Sequence, residues 1–121
     1  MFHRLSIRLL AGLLLASVAF QGWAGERGYF GFSPQVATSG FFLDPTVERI
    51  TIAEVVPGSP AQRAGLRAGD EVVEVEGKSV AGMKARRVRE LATRSVGESL
   101  QLALRRDGGR LEITMTAVAR P

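Results

Sequence analysis

The 121-residue sequence contains no cysteine, and its single histidine and single tryptophan, His3 and Trp23, both lie near its start. Without cysteine there is no disulfide, no thiol nucleophile and no acceptor for a lipoprotein acyl group, so an apolar core alone must hold the fold. Beyond Trp23 no imidazole remains either. That excludes a Ser-His-Asp or Cys-His catalytic set and a metal cage of Cys and His ligands. A Ser-Lys pair would have to use Lys78 or Lys84, which fall in a turn and at a helix start. No residue pattern requires a cofactor. The apolar run from Leu9 to Phe20 is about a dozen residues, short of the roughly 20 that a membrane-spanning helix needs.

His3, Arg4 and Arg8 precede that run, and Gly22-Trp23-Ala24 follows it with the small-x-small spacing of a cleavage site. Residues 1–24 therefore read as a cleaved signal peptide, with cutting after Ala19 or an uncleaved anchor as alternatives. Residues 25–121 then make one domain, long enough to bury a core. The leader removes Arg4 and Arg8 but none of the 12 acidic residues, so the net charge falls from +4 to +2. Such a balance argues against a nucleic-acid partner. The expected product is periplasmic and has no stable membrane span after cleavage.

The most informative stretch runs from Ile50 to Gly77. Ser59 is placed to cap a helix, Pro60 suits the first helical position, and Gln62 can complete a capping box. Gly65 supplies the left-handed residue that ends a helix, and Leu66 can fold back onto the core, so this helix is little more than one turn. Taken together, Val56-Pro57-Gly58-Ser59-Pro60-Ala61, Ala64-Gly65-Leu66, Gly69-Asp70 and Val72 to Gly77 resemble the PDZ domains of bacterial envelope proteases.

The resemblance gives meaning to Tyr29-Phe30-Gly31-Phe32, which looks like the carboxylate-binding loop of that family. Glycine there lets consecutive backbone N–H groups converge on a ligand's C-terminal carboxylate, with Phe30 and Phe32 walling a pocket for its last side chain. Arg27 is a candidate for a further contact to the carboxylate. Ser33 to Ala37 is the candidate strand for pairing with a ligand, through Ser33 and Gln35. Pro34 departs from the pattern, because it falls where a ligand would receive a backbone N–H and proline has none. It reads equally well as a blocker of unwanted edge pairing.

Thr38 to Glu48 reads as a loop, with Phe41-Phe42-Leu43 expected against the core or the groove rim, or forming a docking patch. Ile50 to Val55 and Val72 to Val75 read as strands; in the second, Glu74 and Glu76 take the solvent face opposite Val73 and Val75. Between Gly82 and Gly97 lies the longer helix, with Val88, Leu91 and Ala92 as its buried stripe. The resemblance makes this helix the second groove wall and brings Arg86, Arg89 or Glu90, and Thr93 near it, where arginine would favour an acidic or polar ligand side chain. A solvated face with Glu90 as an in-helix partner is the competing reading. Leu100, Leu102 and Leu104, then Leu111, Ile113 and Met115, alternate on either side of Asp107-Gly108-Gly109 as a hairpin with one buried face.

The fold class expected is α+β: a single PDZ-like domain, a partly open antiparallel barrel or sandwich of five to six strands capped by one short and one longer helix. The last strand would occupy the place of a missing first strand, the circularly permuted bacterial arrangement. The function implied is capture of protein or peptide C-termini, or of extended segments, in the cell envelope, without catalysis. The alternative is an adaptor that docks on a protease or secretion component without using the groove.

Overall fold

The computed structural model describes residues 26–121, and the signal-peptide reading of residues 1–24 lies outside them. Six strands, β1 (Phe32–Ser39), β2 (Thr46–Val55), β3 (Glu71–Val75), β4 (Lys78–Ser79), β5 (Ser99–Arg106) and β6 (Gly109–Thr116), are joined by two helices, α1 (Pro60–Arg63) and α2 (Ala85–Ala92). All pairings are antiparallel, in the order β1-β2-β3-β5-β6 with β4 attached to β3. The sheet does not close, and β1 keeps one edge without a strand partner among the described residues.

Local chemistry accounts for the turns. Gln62 N–H donates to the Ser59 hydroxyl at 3.2 Å, while the Gln62 side chain accepts from Gly58 N–H at 2.6 Å, so the capping box is displaced by one residue. At the other end Leu66 N–H reaches Ala61 C=O and Gly65 N–H reaches Gln62 C=O, both at 3.0 Å. This pair of bonds is a Schellman motif, made possible by Gly65 at φ +94°. The β5–β6 hairpin turns on Asp107-Gly108 with φ of 51° and 77°, the type I′ geometry that matches strand twist.

Three sequence expectations shift. β1 runs on to Ser39, and β2 begins at Thr46 instead of Ile50. The start of β2 is held by a partner the sequence did not suggest: Val47 exchanges hydrogen bonds with Met83 and Gly82 at 2.8 Å each. In β3 the buried residues are Val72 and Val75, because a bulge between Val72 and Glu74 breaks the alternation. Val73 is left half-buried, its carbonyl accepting from Val80 N–H at 3.1 Å.

The core lies between the sheet and its helices, built from Val47, Ile50, Ile52, Val72, Val75, Leu100, Leu102, Leu104, Ile113 and Met115, with Leu66 folded in beneath α1. Ala85, Val88, Leu91 and Ala92 pack α2 against it. By contrast Phe41, Phe42 and Leu43 are 62%, 79% and 72% exposed, so this apolar trio is not part of the core.

Candidate functional site

Helix α2 runs antiparallel to β1. Its start is tied to the far end of β1, where Ser39 pairs with Thr46, through Ala85 N–H to Pro45 C=O at 2.9 Å and a bridge between Lys84 and Thr46. Just beyond its end, Arg94 C=O accepts from Gly28 N–H at 2.7 Å. Between strand and helix lies a cleft of about 620 Å³. One wall is every second residue of β1, Phe32, Pro34, Val36 and Thr38; the other is Ala85, Val88, Arg89, Ala92 and Thr93. Core side chains such as Leu100 and Leu102 form its floor.

The open edge of β1 follows from its pairing. Pro34 stands opposite Ile52, yet Ile52 spends its N–H on Asp70 C=O and its C=O on Gly69 N–H, on the far side of β2. The same holds at Thr38, opposite Val47, whose bonds go to Met83 and Gly82. Antiparallel strands alternate between bonded and non-bonded pairs, so the backbones of Phe32, Pro34, Val36 and Thr38 point away from β2. Bulges after Ser33 and after Ala37 keep this set in step. Pro34 therefore offers the open edge a carbonyl and no donor.

At the head of the edge the chain makes a nest. Gly31 has φ +86°, and its C=O accepts from Val56 N–H at 2.7 Å, while Phe30 C=O accepts from Ala61 N–H at 3.0 Å. The N–H groups of Phe30 and Gly31 have no acceptor among the described residues. A Cβ at Gly31 would collide with the side chain of Ser59, whose hydroxyl also donates to Gly31 C=O at 3.4 Å. The helix cap thus fixes the loop from behind, and two donors with their carbonyls already engaged elsewhere form an anion-binding concavity. Phe30 and Phe32 stand beside it with ring centres 6.4 Å apart. Tyr29 exchanges both backbone bonds with Val118, at 2.8 and 3.1 Å, so the segment after β6 flanks the loop.

Of the residues singled out from sequence, Tyr29, Phe30, Gly31, Phe32, Arg89 and Thr93 all line this cleft. The others lie elsewhere. Ser33 and Gln35 alternate with the outward set, so their backbones face β2 and the positions facing the open edge are their neighbours. Arg86 extends toward Asp44 at 3.6 Å, and Glu90 pairs with Arg87 at 3.4 Å. Both point away from the wall because Ala85, Val88 and Ala92 set the inward face of α2. Arg27 bridges Ser95 and does not line the cleft. Sequence reasoning missed Arg120, which lines the cleft with its guanidinium 5.8 Å from the centre of the Tyr29 ring. No local signal marks it, since its position depends on the Tyr29–Val118 pairing.

The sequence profile of the PDZ domain matches residues 22–105. HhoA of Synechocystis sp. is 39% identical over 75 residues, covering 61% of this chain and 18% of that protein. The periplasmic pH-dependent serine endoprotease DegQ of Escherichia coli is 37% identical over 65 residues, covering 54% of this chain and 14% of its own length. The chain thus spans less than a fifth of these curated relatives. Among solved structures, the HtrA3 PDZ domain bound to the phage-derived ligand FGRWV superposes with a TM-score of 0.55 at 26% identity, covering 76% of this chain and 85% of that one.

Proposed function

This chain belongs to the PDZ domain family, and from that premise we propose that it is a secreted, free-standing module that captures C-terminal or extended peptide segments of cell-envelope proteins and performs no chemistry. The observation that carries this reading is the pair of N–H groups at Phe30 and Gly31 that find no acceptor among the described residues, standing at the head of an open strand edge beside an apolar cleft. A peptide adds to β1 as an antiparallel strand, its carboxylate received by the nest and its last side chain between Phe30, Phe32, Val88 and Ala92. Phe32 and Val36 exchange backbone bonds with it in both directions, and Pro34 accepts only. The peptide held by the HtrA3 PDZ domain supports this mode. The lack of cysteine, and of histidine beyond His3, supports the non-catalytic assignment. The leader-like residues 1–24 and the periplasmic address of DegQ support export to the periplasm.

The test is an NMR titration of residues 25–121 with pooled short peptides, free or amidated at the C-terminus. Saturable shifts of the Phe30, Gly31 and Phe32 amides with free termini alone are expected. Unmoved amides at millimolar peptide would refute the reading.

The exposure of Phe41, Phe42 and Leu43 favours a second reading, an adaptor that docks on an envelope protease or secretion component through this loop. Substituting these residues separates the two: the adaptor loses its partner while the peptide-induced shifts persist.

A further inference from the structure

The charges around the cleft are unevenly compensated. On α2, Arg86 and Arg87 are engaged by Asp44 and Glu90, and just beyond the helix Arg94 pairs with Glu76 at 3.1 Å. Arg89, on the same helix, has no acidic partner among the described residues, nor has Arg120, which follows the Tyr29–Val118 pairing. Among the described residues these two are the only charged side chains lining the cleft, and no aspartate or glutamate lines it. The Arg120 guanidinium lies over the Tyr29 ring, whose electron-rich face attracts it. A cleft with apolar walls and charge of one sign concentrates the field of those charges and selects the opposite sign in its ligand.

A peptide's terminal carboxylate, seated in the nest, brings one negative charge to a cleft lined by two positive ones. We propose that Arg89 and Arg120 form a cationic clamp that selects peptides carrying an acidic side chain within their last three residues, in addition to the terminal carboxylate. The inference rests on the peptide-binding reading and names its ligand class. An apolar final residue fits the pocket between Phe30, Phe32 and Ala92, and the side chains of an added strand alternate, so the acidic side chain that shares the cleft with Arg89 and Arg120 belongs to the third residue from the end. Each guanidinium can then make charge-assisted hydrogen bonds to a carboxylate of its own.

The test uses pentapeptide pools ending in valine with free C-termini, carrying either glutamate or glutamine at the third position from the end. Affinity is read from the amides of Phe30 to Phe32. Wild type is expected to bind the glutamate pool about tenfold more tightly than the glutamine pool, with the difference shrinking in high salt. R89Q and R120Q each reduce that preference, and the double variant R89Q/R120Q binds both pools equally. Both arginines are exposed, so melting temperatures that match wild type exclude misfolding as the cause. Tyr29→Leu, which removes the ring beneath Arg120, lowers the preference as R120Q does, whereas Tyr29→Phe keeps it. Equal binding of both pools by wild type overturns the clamp and leaves peptide capture standing. Binding of neither pool overturns both, as does binding that leaves the nest amides unmoved.

Discussion

Asp70 and Arg106 meet in a two-pronged pair, with Arg106 Nε donating to Oδ1 and Nη2 to Oδ2, each at 2.7 Å. The same Nη2 donates to Gly65 C=O at 2.7 Å, and Arg67 N–H adds a bond to Asp70 Oδ2 at 2.9 Å. One ion pair therefore ties the end of α1, the entry to β3 and the end of β5. Asp70 is only 2% exposed, so removing its partner strands a buried carboxylate. Arg106→Ala is expected to cost about 3 kcal/mol in urea unfolding. A loss below about 1 kcal/mol would mean that water replaces the guanidinium and that the pair is not structural.

The pair also sets an acid limit. Burial pushes the Asp70 carboxyl up, but the Arg106 hydrogen bonds, the Arg67 N–H and the two guanidinium charges together hold it below the usual aspartate range. A group with a lowered folded pKa contributes stability that is complete above its unfolded value of about 4 and is lost as pH falls through the folded value. Wild type should lose stability progressively below pH ~4. Asp70→Asn should be weaker at neutral pH and less sensitive to acid across that interval. Parallel curves for the two proteins would assign acid sensitivity to other carboxylates.

Gly31 meets two independent constraints, a left-handed φ and the side chain of Ser59. Gly31→Ala is expected to cost at least about 1 kcal/mol from φ alone and to abolish the peptide response at the nest. Adding Ser59→Gly, which costs a cap only a few tenths of a kcal/mol, should recover the steric part and leave the φ part. If the double variant is no more stable than Gly31→Ala, the loop yields without help from Ser59.

The contrast between α1 and β1 shows which features were legible in the sequence. The α1 cap and its Gly65–Leu66 stop rest on hydrogen bonds spanning three to five residues, so the residues that specify them are adjacent on the page. The β5–β6 hairpin is as legible, since alternation and Asp107-Gly108 fix its register locally. The open face of β1 depends instead on bulges after Ser33 and Ala37 and on where Ile52 and Val47 spend their bonds. For that reason Ser33 and Gln35, named from the sequence as pairing positions, turn their backbones to β2, whereas Pro34, marked by the resemblance as the position lacking an N–H for a ligand, does face the open edge. The helix wall was half legible: its apolar stripe of Val88, Leu91 and Ala92 was visible, but Ala85, which fixes whether Arg86 or Arg89 faces the cleft, was not recognised as part of it. Arg120 was hidden because its placement rests on pairing between Tyr29 and Val118, at opposite ends of the domain.

Exposure of the 41–43 loop makes a simple stability prediction. Phe42→Ser, at the most exposed of the three positions, should change unfolding free energy by no more than about 0.5 kcal/mol. The rings of Phe41 and Phe42 lie against each other, with centres 5.3 Å apart. A larger loss in thermal or urea unfolding would show that the loop closes onto the domain in solution.

Pro34 gives the sharpest test of how a ligand lies. Its backbone faces the open edge and lacks the one donor that would complete a two-way pair with an added strand. A missing hydrogen bond of this kind is worth about 0.5–1.5 kcal/mol, or up to about tenfold in affinity. Pro34→Ala should therefore tighten binding of a free-terminus peptide by up to about tenfold, and its new amide should shift on titration. The same change loosens the unfolded chain, so folding stability should drop by about 0.4–1 kcal/mol while affinity rises. These opposite signs separate the ligand-facing role of Pro34 from a purely structural one. If affinity and stability fall together, the peptide does not pair along this part of β1. Proline would then serve there only to keep other strands from adding to a bare edge.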